Sequence, residues 1–460
     1  MLLLCALLFL GFFHPRWGFF ETNRFFWSVD DGCYLKRLFD FLGFALDRPG
    51  VCETTENYFP IGAPIAWLPA ALLGRASYAV ASAASVTEWT IAWIMIEAFA
   101  AWTASILFLE RFLELAAPRI PPVRRAFLAV GAGIASSAFF YAANRQVLAH
   151  PMEWFFAAAL VLSLKERRPL NALAAAGLLC LTRYNDLPAL LMVAGTFVDS
   201  RSDRIFTRNH RLAFGVLLAL CLAYVGWVAF GHGYGGVRLP ELLAGLAWSD
   251  FGRFLWGADW GVAFTAPWFL AVAVIGGVLF RELSWTARGA FAWILLESAL
   301  CIAWRGNGSM FAYRYLTGAY AAAVWIAMEA IVLRPGLARA NAILVAVSAV
   351  WTLVLGHLYQ GMISLGIGMQ IARDATGLER RISNLPFLST AMEQWGNLEV
   401  HRASLAQASA FYVWLKSLVD PDSLAGTVLV EGPTLFLLTL AVAFALLVVG
   451  LTIARATRKN

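Results

Sequence analysis

Apolar runs long enough to cross a bilayer, separated by short stretches of Arg and Lys, leave this chain few ways to fold. Trp89–Leu109, Leu212–Phe230, Val262–Phe280, Tyr315–Leu333 and Thr434–Ala454 each hold about the 20 residues that a membrane helix needs. In lipid, only helices and closed barrels satisfy their own backbone hydrogen bonds. These runs do not alternate polar with apolar residues as barrel strands do, so they are expected to be helices. Charged residues make up 14% of the chain, against about 25% in soluble domains. The expected fold is all-α, a polytopic helical bundle embedded in a membrane.

The basic stretches orient the bundle, because loops rich in Lys and Arg stay in the cytoplasm. About half of the 35 Lys and Arg fall in short loops such as Lys165–Pro169 and Arg334–Arg339. Topology thus accounts for the net charge of +6, and no nucleic-acid partner is implied. The 19 Trp read mostly as membrane-interface anchors. Leu2–Phe13 follows no basic residue and precedes no small-x-small cleavage site, so it reads as a retained first span rather than a signal peptide.

One run decides the pass count. Leu170–Val198 is apolar except for Arg183-Tyr184-Asn185-Asp186, and the stretches on both sides of it are basic. Two cytoplasmic flanks require an even number of passes. The run is therefore expected to be two short helices, Leu170–Leu181 and Leu187–Val198, turning at Arg183–Asp186. Each would be about 18 Å long at ~1.5 Å per residue. They would reach a recessed, water-filled cavity instead of the far bilayer surface.

The whole pattern gives about twelve passes with both termini cytoplasmic. Residues 1–358 form the transmembrane module, with a first external loop at 21–88. An external segment covers 359–433, and 434–460 hold the last helix and a cytoplasmic tail.

Against this apolar background, Asp30 and Asp31 stand out, in a polar loop just after the first apolar segment. Tyr34 follows, and about 25 residues later comes Glu56-Asn57-Tyr58-Phe59-Pro60-Ile61-Gly62-Ala63-Pro64. Adjacent carboxylates can act as a general base with a second ligand beside it. The plainer reading is a solvated acidic loop. Cys33 and Cys52 share the same loop and are either bridged or two thiols. Glu97 sits inside a span, where an acid faces protein rather than lipid.

This arrangement resembles the GT-C superfamily of polytopic glycosyltransferases. Its nearest pattern is that of the protein O-mannosyltransferases, the aminoarabinose transferases of lipid A and bacterial family-39-like enzymes. Those carry a D-[DE]-x-x-Y element in the first external loop and a Y-x-P-x-G-type helix start after it. The resemblance makes Asp30 the first acid, Asp31 the second and Tyr34 the tyrosine, with Glu56 and Tyr58 at the following helix start. Thr182-Arg183-Tyr184-Asn185-Asp186 looks like the family's short external turn. Phe254–Pro267 looks like its glycine-containing loop. Gly306–Leu316, with Arg314 and Tyr315, looks like its aromatic-Arg-Tyr-Leu element. The likeness runs over residues 27–320.

What the resemblance implies is transfer of a sugar from a polyprenyl-phosphate donor to an extracytoplasmic lipid, glycan or protein acceptor, with inversion. Catalysis would fall to Asp30 and Asp31. Tyr34, Glu56, Tyr58, Arg183, Asp186, Arg305, Arg314 and Tyr315 would bind substrate. Arg suits the phosphate because its fork donates two parallel hydrogen bonds. The chain has no Rossmann-like glycine loop for a nucleotide sugar, in keeping with a lipid-linked donor. The protein would sit among the lipids of a bacterial inner (plasma) membrane with its active site outside.

No cofactor is required by these residues, and a divalent cation is compatible with them. His150 with Glu153 offers two ligands, which do not make a metal site, so His150 reads as a satisfied interfacial histidine. The rival expectation is a transporter or lipid flippase, which calls for charged residues in mid-span.

Overall fold

The structure, a computed structural model, describes residue 5 and residues 29–44, 60–80, 86–144, 147–200, 207–227, 248–257, 261–303, 314–365, 367, 369–373, 379–383 and 387–406. Within these it is a helical bundle. Four helices are long and apolar enough to cross a membrane: Trp89–Ala116, Arg208–Gly226, Trp285–Ala303 and Leu337–Met362. Pro169–Thr182, Pro267–Val278 and Thr317–Leu333 are shorter apolar helices. The Arg208–Gly226 helix exposes Leu212, Val216 and Leu220. Four-residue spacing puts them on one face, an apolar stripe suited to lipid.

Proline sets several helix starts. Pro122, Pro151, Pro169 and Pro267 each stand in a first turn, where the missing N–H costs nothing and the fixed φ favours the helix. The same chemistry splits a span that the sequence shows as one. Val262–Phe280 is broken at Ala266 into Val262–Thr265 and Pro267–Val278, because the residue before a proline is pushed out of the helical region. The helices Pro122–Ala135 and Ala138–Asn144 are separated at Ser136, whose backbone is extended (φ −76°, ψ 152°). Its hydroxyl donates to the Gly133 carbonyl at 2.7 Å.

The acidic pair does not lie in a loop. Asp30 and Asp31 belong to the first turn of a helix, Val29–Leu42. Leu35, Leu38 and Phe39 are fully buried, and this apolar face is what holds the segment helical. The Leu68–Val80 helix, also within the sequence's first external loop, packs along Val86–Ala116. Beyond Leu365 lie a short antiparallel hairpin, Met369–Arg373 with Glu379–Ser383, and the helices Phe387–Glu393 and Leu398–Ala406.

The bundle has two chemically distinct ends. At one end, Arg111 pairs with Glu114 and Glu166, and Arg125 pairs with Glu110 at 3.2 Å. Asp199 accepts from the Trp285 and Thr286 backbone N–H groups at 3.0 and 2.8 Å. Glu329 accepts from the Ser284 hydroxyl at 2.8 Å, and Arg334 pairs with Glu282 at 2.8 Å. The basic stretches thus gather together, with residues 166 and 199 both at this end. The turn at Arg183 lies at the other.

Candidate functional site

Four separate stretches of chain converge at the end opposite the basic loops. The helix from Pro169 stops at Thr182 because Arg183 is extended (φ −148°, ψ 118°), and a 3-10 turn, Tyr184–Ala189, follows. Gly62 lies against the backbone of Leu181 and Thr182. The Pro-Ile-Gly element and the Thr-Arg-Tyr turn, about 120 residues apart in the chain, are therefore in contact. Tyr34 is buried edge-on to Trp67, with ring centres 6.0 Å apart. It also lies within electrostatic reach of Tyr184, as do Arg183, Tyr224 and Tyr315.

Arg183 is buried and engaged on several sides. Its guanidinium sits 4.7 Å from the centre of the Tyr315 ring. Nε donates to Asn185 Oδ1 at 3.2 Å and lies 3.8 Å from Glu153 Oε2. One terminal nitrogen is 3.5 Å from His150 Nε2. A guanidinium can only donate, so His150 Nε2 accepts. The ring proton is then on Nδ1, which donates to Glu153 Oε2 at 2.9 Å. His150 is thus satisfied and neutral, but fully buried instead of interfacial. Glu153 Oε1 accepts from the Gly318 N–H at 2.9 Å.

Three carboxylates meet here. Glu153, Asp186 and Glu297 are all fully buried, and each offers an oxygen within 4.8 Å of the other two. Glu297 Oε1 accepts from Asn185 Nδ2, which also donates to the Tyr315 carbonyl at 3.0 Å. Among the described residues, no N–H or hydroxyl donates to Glu297 Oε2 or to either oxygen of Asp186, and the Asp186 and Glu297 carboxyls lie within hydrogen-bonding reach of each other. Asp186 fits only because residue 318 is glycine, since a Cβ there would overlap its carboxylate.

Of the residues singled out from the sequence, Tyr34, Arg183, Asp186 and Tyr315 come together in this region. Asp30 and Asp31 sit one helical turn before Tyr34, and their side chains lie outside the described residues. So does the side chain of Arg314, which opens the 3-10 turn Arg314–Leu316. Glu56, Tyr58 and Arg305 lie outside the described residues altogether. Cys33 is disulfide-bonded, whereas Cys5, Cys180, Cys221 and Cys301 are free; Cys52 lies outside the described residues.

Glu297 belongs to none of the sequence motifs. It is a single acid in an otherwise apolar span, and the rule that draws attention to Glu97 applies to it equally. No family model, curated protein or solved structure matches the chain.

Proposed function

We propose that this chain is a GT-C-like membrane glycosyltransferase of about twelve passes, with its active site on the extracytoplasmic face of a bacterial inner membrane. It would take a sugar from a polyprenyl-phosphate donor and pass it to a lipid, glycan or protein hydroxyl. The observation that carries this reading is the contact between motif-bearing segments. Tyr34, on the helix that holds Asp30 and Asp31, lies within electrostatic reach of Tyr184 in the turn after Arg183; Arg183 sits over the Tyr315 ring, and the Gly62 element packs on the end of the helix before that turn.

In the proposed reaction Asp30 takes the proton of the acceptor hydroxyl. The acceptor oxygen bonds to the anomeric carbon as the bond from that carbon to the phosphate oxygen breaks, inverting the centre. The departing lipid phosphate carries away the electron pair and is held by Arg314 and Arg305. A positioned base of this kind contributes about 10²–10⁴-fold. Purified Asp30→Asn, with the donor saturating, should lose transfer by at least the bottom of that range and keep normal detergent stability. Asp31→Asn should lose less. Turnover near the parent's in Asp30→Asn would refute the assignment.

One observation favours the transporter or flippase reading: buried ionisable side chains inside a membrane bundle mark ion and substrate paths, and Glu153, Asp186 and Glu297 are such groups. If that reading is right, reconstituted protein moves solute or lipid across vesicles, and the movement depends on Asp186 and not on Asp30.

A further inference from the structure

We infer that Glu153, Asp186 and Glu297 together hold a hard divalent cation. This assignment does not depend on the transfer reading. Buried charges are found paired or coordinating a metal, because an isolated buried carboxylate is too costly. Asp186 is fully buried and, among the described residues, neither of its oxygens accepts from an N–H or hydroxyl donor; its carboxyl lies against that of Glu297. Glu297 leaves Oε2 in the same condition. Both point into a cluster whose third member, Glu153, comes from another element. Three helical elements thus aim carboxylates at one point: His150–Lys165, Tyr184–Ala189 and Trp285–Ala303.

The spacing suits an ion. Oxygens within 4.8 Å of one another can share a cation at close to the roughly 2.3–2.6 Å of calcium–oxygen bonds. The donors are all carboxylate oxygens, which select magnesium, calcium or manganese over softer metals. His150 adds no ligand, since its Nδ1 donates to Glu153 and its Nε2 accepts from Arg183. Among the described residues, one guanidinium and a neutral imidazole face three carboxylates, so a divalent ion reduces the local excess of negative charge. The ion would tie the Arg183 turn to the helices on either side and fix the floor on which Tyr315 and Arg183 rest.

The test uses the full-length protein in detergent, without substrate. After treatment with EDTA, Mn²⁺, Ca²⁺ and Mg²⁺ are added separately, and thermal unfolding and bound metal are measured. One ion per chain should bind saturably, raise Tm by several degrees and, as Mn²⁺, give an immobilised paramagnetic signal. Asp186→Asn and Glu297→Gln should each weaken Mn²⁺ binding at least about tenfold, since even an outer-shell partner is worth that much. Glu282→Gln, at the opposite end of the bundle, should leave binding unchanged. A parent protein that holds no ion and shows no Tm response to any of the three would overturn the assignment, leaving Asp186 and Glu297 to share a proton. Undiminished Mn²⁺ binding in both cluster variants would also overturn it. Neither result bears on whether Asp30→Asn abolishes transfer.

Discussion

Gly62 rests with its α-carbon against the backbone of Thr182, so that a Cβ at position 62 would overlap the Thr182 nitrogen and hydroxyl. The obstacle is mainly backbone, which cannot swing aside as a flexible side chain can. This contact seats the Pro-Ile-Gly element on the end of the Pro169–Thr182 helix, next to the turn that carries Arg183 and Asp186.

Gly62→Ala should therefore destabilise the protein by about 1–3 kcal/mol, the usual cost of overpacking. Gly215→Ala provides the comparison. Gly215 is helical and exposed, with nothing within 4 Å of its added Cβ. There the change should raise stability by up to about 1 kcal/mol, the helix-propensity gain of alanine. Thermal unfolding in detergent followed by tryptophan fluorescence measures both. Equal Tm values for the two variants would mean that the Gly62 contact is not made.

Asp199 ends the Leu190–Asp199 helix and caps the Trp285–Ala303 helix. Its Oδ1 accepts from Trp285 N–H, and its Oδ2 from the Thr286 N–H and hydroxyl at 2.8 and 2.7 Å. The first N–H groups of a helix have no partner within it, so Asp199 supplies one from outside. Asp199→Ala should lower stability by about 1 kcal/mol, typical of a lost cap. Asp199→Asn keeps one acceptor oxygen and should lose less. The ordering parent, Asn, Ala in Tm is the expected result, and an Ala variant as stable as the parent would dismiss the cap.

The basic stretches at 165–169 and 199–211 carried enough information to infer the turn between them, because charge asymmetry across a bilayer is a property of local composition. The break at Arg183-Tyr184-Asn185-Asp186 was visible for the same reason. What no local pattern could tell is that Asp186 turns inward to meet Glu153 and Glu297, since their proximity depends on the packing of three elements. Helical structure at Asp30 was hidden too. The polar residues around it resemble a loop, and only the buried face of Leu35, Leu38 and Phe39 shows what the segment packs against.

Orientation can be tested with two exposed positions at opposite ends. Arg168 lies at the end of the basic loops and Glu399 in the Leu398–Ala406 helix, and their side chains are 63% and 65% exposed. The latter helix packs on the Leu337–Leu365 helix at Gly361, close to Tyr359, whose ring meets Phe140 near the carboxylate cluster. A cysteine placed at Glu399 should react with a membrane-impermeant thiol reagent added to intact cells. One placed at Arg168 should react only after permeabilisation. The four free native cysteines are buried, so their background is low, and the parent protein corrects for it. The reverse pattern would turn the bundle over and put the carboxylate end in the cytoplasm.

Arg183 and Arg314 should separate into different roles. Arg183 is bound up with Glu153, Asn185, His150 and the ring of Tyr315. Removing it strips a buried carboxylate of a cation, and breaking such a pair costs about 3–5 kcal/mol. Arg183→Ala should thus fail first in stability, seen as a large fall in Tm. Arg183→Lys should recover only part, because a point charge cannot reach these partners in the fixed geometry of the guanidinium fork. Arg314 opens the 3-10 turn that precedes Thr317, and under the proposed function it meets the donor phosphate. Arg314→Ala should unfold at nearly the parent's Tm and need more lipid-phosphate donor for half-maximal transfer, while its dependence on acceptor stays the same. If purified Arg314→Ala shows unchanged apparent donor affinity, Arg314 is a snorkelling cation at the membrane interface, and the phosphate must be held elsewhere.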